Sequence, residues 1–271
     1  SVDFDGEFTI GSDSVLSDLS EIEKINNLRA LIVRIDSPGG AYNASEEIYF
    51  ALNELKQNKK IPIIISQSGY AASGGYYISL AGDTIIAEPT TITGSIGVLG
   101  GKFSLTGLWQ KLGINWQKIK LGENADILSV NSDFTASEKK IFNASLDEVY
   151  NDFTQKVMQH RTLTKDINEI ARGRVWTGNQ AKQLGLIDAV GGYDEAIKQA
   201  FILSKISPNQ RYNLITFPKE KSFREKIRDL MLSPNVIAKQ IIMQSGVDIR
   251  YLKLFKQLQY DTVLLPFNLT M

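Results

Sequence analysis

The chain has 271 residues, 43% of them hydrophobic, with 30 basic residues set against 30 acidic ones. This composition supports a sizeable core, argues against disorder, and leaves no overall field to attract nucleic acid or an anionic membrane. With no cysteine and one histidine, His160, the chain excludes disulfides, thiol nucleophiles, thiolate metal sites and any multi-histidine metal centre.

The opening stretch SVDFDGEFTIGSDS lacks a basic start and an apolar core, so it does not read as a signal peptide. No apolar run reaches bilayer-spanning length, and the chain reads as soluble. Residues 30–36, ALIVRID, are rich in β-branched side chains and predict a buried strand, closed by the turn signal SPGG at 37–40. Residues 41–60 predict a helix with Ala44, Ile48, Ala51, Leu52 and Leu55 on one face and Asn43 or Ser45 as its cap. IPIIIS at 61–66 predicts a second strand, and GYAASGGYYISLAG then crosses a turn into a helix. DTIIAEP at 83–89 is a third strand, and TTITGSIGVLGG suggests a strand with bends. The alternation implies an α/β fold with a largely parallel sheet.

Residues 135–171 are helical in pattern, with Ile141, Leu146, Val149, Tyr150, Phe153 and Val157 on one face. A further helix begins at Thr177 and closes on Gly185, and another covers 194–204. Residues 1–212 read as one core, and the charged, amphipathic stretch 213–271 as a C-terminal helical extension that packs on the body or on a neighbour.

Acyl transfer needs a nucleophile, a base and donors for the oxyanion. Ser73 follows a predicted strand and stands at the start of a helix, among Ala71, Ala72, Gly74 and Gly75. Bare neighbours let a peptide backbone approach, and a helix N-terminus offers unpaired N–H groups and partial positive charge. SPGG also follows a strand, and in a parallel sheet both strand ends lie on one edge. The N–H groups of Gly39 or Gly40 and of Gly74 are therefore the candidate oxyanion donors, each worth about 3 kcal/mol in such sites. Each motif alone is also compatible with close packing or an ordinary turn; their ordered pairing is what carries specificity.

IDSPGG, ASEEIYFALNEL and SGYAASGGYYISLAGDTIIAEPTTITGSIGVLG together resemble the peptidase core of the signal peptide peptidase A family, and GRVWTGNQAKQLGLIDAVGGYDEAI resembles a second signature of it. The likeness covers roughly residues 25–205. It implies a crotonase-like, Clp-protease-like fold with flanking helices and oligomeric assembly. It further implies hydrolysis of residual signal peptides by a serine–lysine dyad without a cofactor or metal. The implied setting is the bacterial periplasm, held at the inner membrane through a segment absent here. By motif match Ser73 is the nucleophile, with Gly74 and Gly39 or Gly40 at the oxyanion hole. Gly94 and Ser95 of TGSIG are expected to border the substrate groove, and Tyr76 either packs the helix that carries Ser73 or borders that groove. Ser95 is also a second nucleophile candidate.

In single-core members of that family the lysine stands just before an acidic residue that opens a short loop. Here the residue before Asp126 is Ala125. Double-length members instead place the lysine in an N-terminal core and the serine in a C-terminal one. This chain resembles such a C-terminal half, and its expected partners are peptide substrates, a lysine-bearing N-terminal core and further copies of itself. Within the chain, Lys120 and His160 are rival bases, and Asp36 either orients a base or stabilises a turn. Arg161 is expected in a structural ion pair, Trp176 and Tyr193 in the core, and Tyr77 against the Ser73 helix. Two other readings stand beside the peptidase: an acyl-CoA enzyme of the crotonase kind, and a catalytically incomplete scaffold.

Overall fold

The computed structural model describes residues 10–207 and 210–219 and the backbone of 263–264. The chain divides into two compact units, and every helix and strand among the described residues lies in the unit that holds 11–207 and 263–264. Residues 10 and 210–219 belong to the other unit and carry neither helix nor strand. The expected extension over 213–271 lies outside the described residues except for 213–219 and 263–264.

In chain order the elements are α1 (Ser12–Glu23), β1 (Leu31–Ser37), α2 (Tyr42–Lys59), β2 (Ile63–Ala72), α3 (Gly74–Ser79) and β3 (Thr84–Ala87). There follow β4 (Ile92–Gly94), β5 (Leu99–Gly100), α4 (Thr106–Leu112), α5 (Ala136–His160) and α6 (Ile167–Ile170). The last are β6 (Val175–Thr177), α7 (Gly178–Leu184), β7 (Ala189–Val190), α8 (Tyr193–Leu203) and β8 (Val263–Leu264).

β2 is the spine of the main sheet. Ile63, Ile64 and Ile65 are consecutive and wholly buried, as a strand covered on both faces requires. β2 pairs in parallel with β1 on one side. On the other it pairs with β3 through Ile64–Gln67 and then with β4 through Tyr70–Ala72. β7 continues the parallel order beyond β3, and β6 closes antiparallel on β4. The sheet is therefore mixed, mostly parallel and flanked by helices: an α/β fold, as the strand–helix alternation predicts. β5 and β8 form a separate antiparallel ladder.

Four local expectations change. β2 runs on to Ala72, because its last residues find a partner in β4. α2 starts after Ala41 with no side-chain cap, and Ser45, already inside the first turn, donates its hydroxyl back to the Ala41 carbonyl. α5 opens on a Thr135–Glu138 capping box and buries Phe142 rather than the expected Ile141, which is exposed. The helix predicted over 135–171 is two helices. Arg161 turns extended (φ −128°, ψ 139°) and sends its guanidinium to Asp188 and to the Gly185 carbonyl. α1, whose Leu19 and Ile22 are buried, and α4, which buries no side chain, complete the set.

Candidate active site

The sheet brings both sequence motifs to one edge. Ser73 is the single residue between β2 and α3, at φ +54° and ψ −118°. A side chain held at such a φ costs on the order of 1–3 kcal/mol and persists only where its surroundings fix it. Here the Ser73 N–H donates to the Gly94 carbonyl at 2.9 Å, and the Ser73 carbonyl accepts from the Tyr77 N–H at 2.8 Å. The side chain is wholly buried, yet its Oγ has no hydrogen-bond partner among the described residues. A buried hydroxyl left unpaired costs roughly another 1–3 kcal/mol. Backbone strain and an orphaned polar atom are features that cluster at functional sites, and Ser73 combines the two.

The SPGG turn lies directly against it. A Cβ added at Gly39, whose φ is +129°, would stand 2.8 Å from Ser73 Cβ and 3.2 Å from its Oγ. Only a bare Cα fits there. A second close approach clamps the same pair of motifs, since a Cβ on Gly75 would meet the Ser37 carbonyl at 3.0 Å. Gly39 and Gly40 divide their work. The Gly39 N–H donates to Ser37 Oγ at 3.2 Å, while Gly40 borders open space. Gly74 opens α3, where the first N–H groups of a helix have no acceptor within the helix.

Gly94, at φ +81°, places its carbonyl on the Ser73 amide. Ser95, at φ +49°, is wholly buried and its N–H donates to the Arg174 carbonyl at 2.8 Å. Gly94 therefore supports the Ser73 turn from the end of β4, while Ser95 ties that end to the segment before β6. Tyr76 does not border a groove. It is wholly buried and its hydroxyl donates to the Leu186 carbonyl at 2.8 Å, because α3 is short and presses this face into the core.

Neither rival base hydrogen-bonds the Ser73 hydroxyl. Lys120 Nζ is bound to Asp126 Oδ1 at 2.7 Å and to the Glu123 carbonyl at 2.8 Å. Its hydrogen bond to Asp126 pushes the amine above its ordinary pKa, opposite to what a base needs. Lys118 and Lys120 together hold the Asp126 carboxyl well below its usual range. His160 hydrogen-bonds Tyr49 and the Lys156 carbonyl. Asp36 accepts from the Tyr70 N–H at 3.0 Å beside a register shift of β1, a strand-end acceptor. Arg161 forms the expected ion pair, bidentate with Asp188 at 2.9 Å. Trp176 Nε1 bonds the Ile170 carbonyl, and Tyr193 lies under the Arg34 guanidinium, both half-buried.

Sequence reasoning missed one charged group near the site, Asp152 of α5, whose Oδ2 accepts from Tyr77 at 2.7 Å and from Tyr42 at 2.9 Å. Its spacing from Lys156 reads as an ordinary i,i+4 surface pair. Among the described residues no cluster of three or more His, Asp or Glu could hold a metal, and no helix is long and apolar enough to cross a membrane.

The model of peptidase family S49 matches residues 55–207. The chain is 40% identical over 202 residues to the chloroplastic serine protease SPPA of Arabidopsis thaliana, covering 72% of this chain and 30% of that protein. It is 38% identical over 198 residues to a putative protease of Synechocystis sp., covering 73% and 70%. It is 32% identical over 231 residues to protease 4 of Salmonella typhi, covering 84% and 37%. The chain thus spans about a third of two of these relatives and most of the third.

Proposed function

The chain belongs to peptidase family S49, and from that premise we propose that it carries the nucleophile of a serine endopeptidase whose base lies elsewhere. The observation that carries this reading is the buried, unpartnered Oγ of Ser73 on a strained strand-to-helix turn, with Gly39 against it. Ser73 attacks the scissile carbonyl, and its proton passes to a neutral lysine amine. N–H groups of Gly74 and of the SPGG turn hold the oxyanion, with Gly40 favoured over Gly39 because Ser37 occupies the Gly39 amide. The lysine returns the proton to the leaving amine, and water then releases the acyl-enzyme.

The lysine comes from a second core, as in double-length relatives. Ala125 stands at the position where a lysine would be expected, and Lys120 is bound to Asp126. The stretch 99–121 supports such an assembly. Leu99, Phe103, Leu112, Trp116, Ile119 and Leu121 are exposed there, apolar surface suited to another subunit. The crotonase-like architecture, a closed oligomer, and a periplasmic setting at the inner membrane belong to the same proposal. So do residual signal peptides, with small and apolar side chains, as substrates.

A second reading, a catalytically incomplete scaffold, rests on Ala125. One assay separates them: hydrolysis of a fluorogenic peptide of small and apolar residues by this chain alone, by its Ser73→Ala variant, and by each after adding a lysine-bearing N-terminal core. The peptidase reading expects turnover only with the added core and only with Ser73. Continued silence with a competent core present would leave the scaffold. Turnover by the chain alone would place the base inside these residues.

A further inference from the structure

Two turns must keep a fixed spacing for an oxyanion hole to work: the one before α2, carrying Gly39 and Gly40, and the one before α3, carrying Ser73 and Gly74. Each is followed within a turn of helix by a tyrosine. Tyr42 is the first residue of α2, two positions after Gly40. Tyr77 is in α3, and its own N–H holds the Ser73 carbonyl. The two rings meet edge to face, with centroids 5.6 Å apart. Both hydroxyls then converge on one atom from a third element, Oδ2 of Asp152 in α5, at 2.9 Å and 2.7 Å.

The other oxygen of Asp152 is taken by Lys156, one turn along α5. That ammonium is mostly buried and sits over the rings of Tyr49, Phe50 and Tyr77 at 5.4–5.8 Å from their centroids. The charge of Asp152 is therefore balanced from behind while its free oxygen faces the tyrosines. Tyr42 shares its single proton between Asp152 and Glu46 Oε1, also at 2.9 Å. Glu46 lies on α2 itself, so that bond ties the helix only to itself, whereas Asp152 reaches across.

We propose that Asp152 is a positioning residue, one that sets the distance between the two oxyanion turns by holding Tyr42 and Tyr77 on a single carboxylate oxygen. The inference rests on the peptidase reading above. Hydrogen bonds to an ionised oxygen are short and strong, and a misplacement of about 1 Å at an active site can lower the rate about 10²-fold.

The test uses the full protein as it occurs, with Asp152→Asn, Asp152→Leu, Tyr42→Phe, Tyr77→Phe and the double phenylalanine variant. Expected is a fall in kcat of about 10- to 100-fold in Asp152→Leu with KM within about twofold, since misaligned donors act on the transition state. Asp152→Asn, which keeps an acceptor oxygen, recovers part of the loss. The double phenylalanine variant is no worse than Asp152→Leu, because both hydroxyls act through the same atom. Affinity for a peptidyl aldehyde, which forms a tetrahedral adduct on Ser73, weakens in step with kcat. Unchanged kcat in Asp152→Leu overturns the proposal. So do equal changes in kcat and KM that track a lowered melting temperature, the mark of a purely structural role. Hydrolysis that survives Ser73→Ala in the same protein removes the peptidase reading itself and this inference with it.

Discussion

The strand–turn–helix of residues 63–79 and the stretch 99–134 are opposite solutions in one chain. In the first, Ile63, Ile64 and Ile65, both tyrosines of α3 and Ser73 itself are wholly buried, and most neighbouring side-chain polar groups are paired, Gln67 Oε1 excepted. Gln67 donates to Ser79, Ser79 donates to the Gly75 carbonyl, and Tyr76 and Tyr77 tie α3 to Leu186 and Asp152. In the second, α4 buries no side chain, Ile119 and Leu121 stand almost wholly in solvent, and two lysines share one aspartate. On the peptidase reading, the lesson is that the turn proposed to carry the nucleophile is closely packed, whereas the surface proposed to meet its complement is apolar and open.

The sharpest way to break this comparison is Ser73→Ala. Peptide hydrolysis in the complete enzyme is expected to fall by about 10⁴- to 10⁶-fold. Its thermal melt should hold or rise, because the variant removes an unpaired buried hydroxyl. Next in size, Gly39→Ala should lower activity by at least about 10²-fold and stability by about 2–3 kcal/mol, from the contact with Ser73 and the positive φ. Denaturant unfolding and initial rates check both halves of that statement.

A third prediction concerns alkaline pH. Burial first, then hydrogen bonding to Asp152, holds the Tyr77 hydroxyl far above the usual phenol value of 10.0. Burial, helped by Glu46 and Asp152, does the same for Tyr42. Both folded pKa values exceed the unfolded ones, so this stabilisation is complete below about pH 10 and is lost as the unfolded chain ionises above it. Urea midpoints should decline above that pH in the parent protein, and less steeply in Tyr77→Phe. The smallest effects belong to the open region. Ile119→Ser should leave the melt of the isolated chain unchanged while weakening its association, read by analytical ultracentrifugation. Lys120→Ala should leave turnover of the assembled enzyme within about twofold.

The parts legible in the sequence are those written in local code. Three β-branched runs separated by glycine turns announce the parallel strands, and small residues around Ser73 announce the turn that carries it. The remainder depends on distant contacts. Tyr77 meets Asp152 across 75 positions and Tyr42 meets it across 110, and no local pattern encodes either. Tyr76 looks available beside a nucleophile, but its fate is decided by a carbonyl 110 residues away. The inward turn of Phe142 in place of Ile141 is a rotation of one residue on α5, set by what the helix packs against.

The backbone at Ser73 leaves a further trace, in evolutionary time. Glycine adopts φ +54° without a Cβ penalty, so Ser73→Gly would relieve the turn of both its strain and its orphaned hydroxyl. If Ser73 is the nucleophile, selection for hydrolysis is what would hold serine in place against that drift. A lineage released from the reaction would lose this residue early and gain a firmer fold by doing so. A glycine at this position in a sister chain would be the fossil of a retired enzyme.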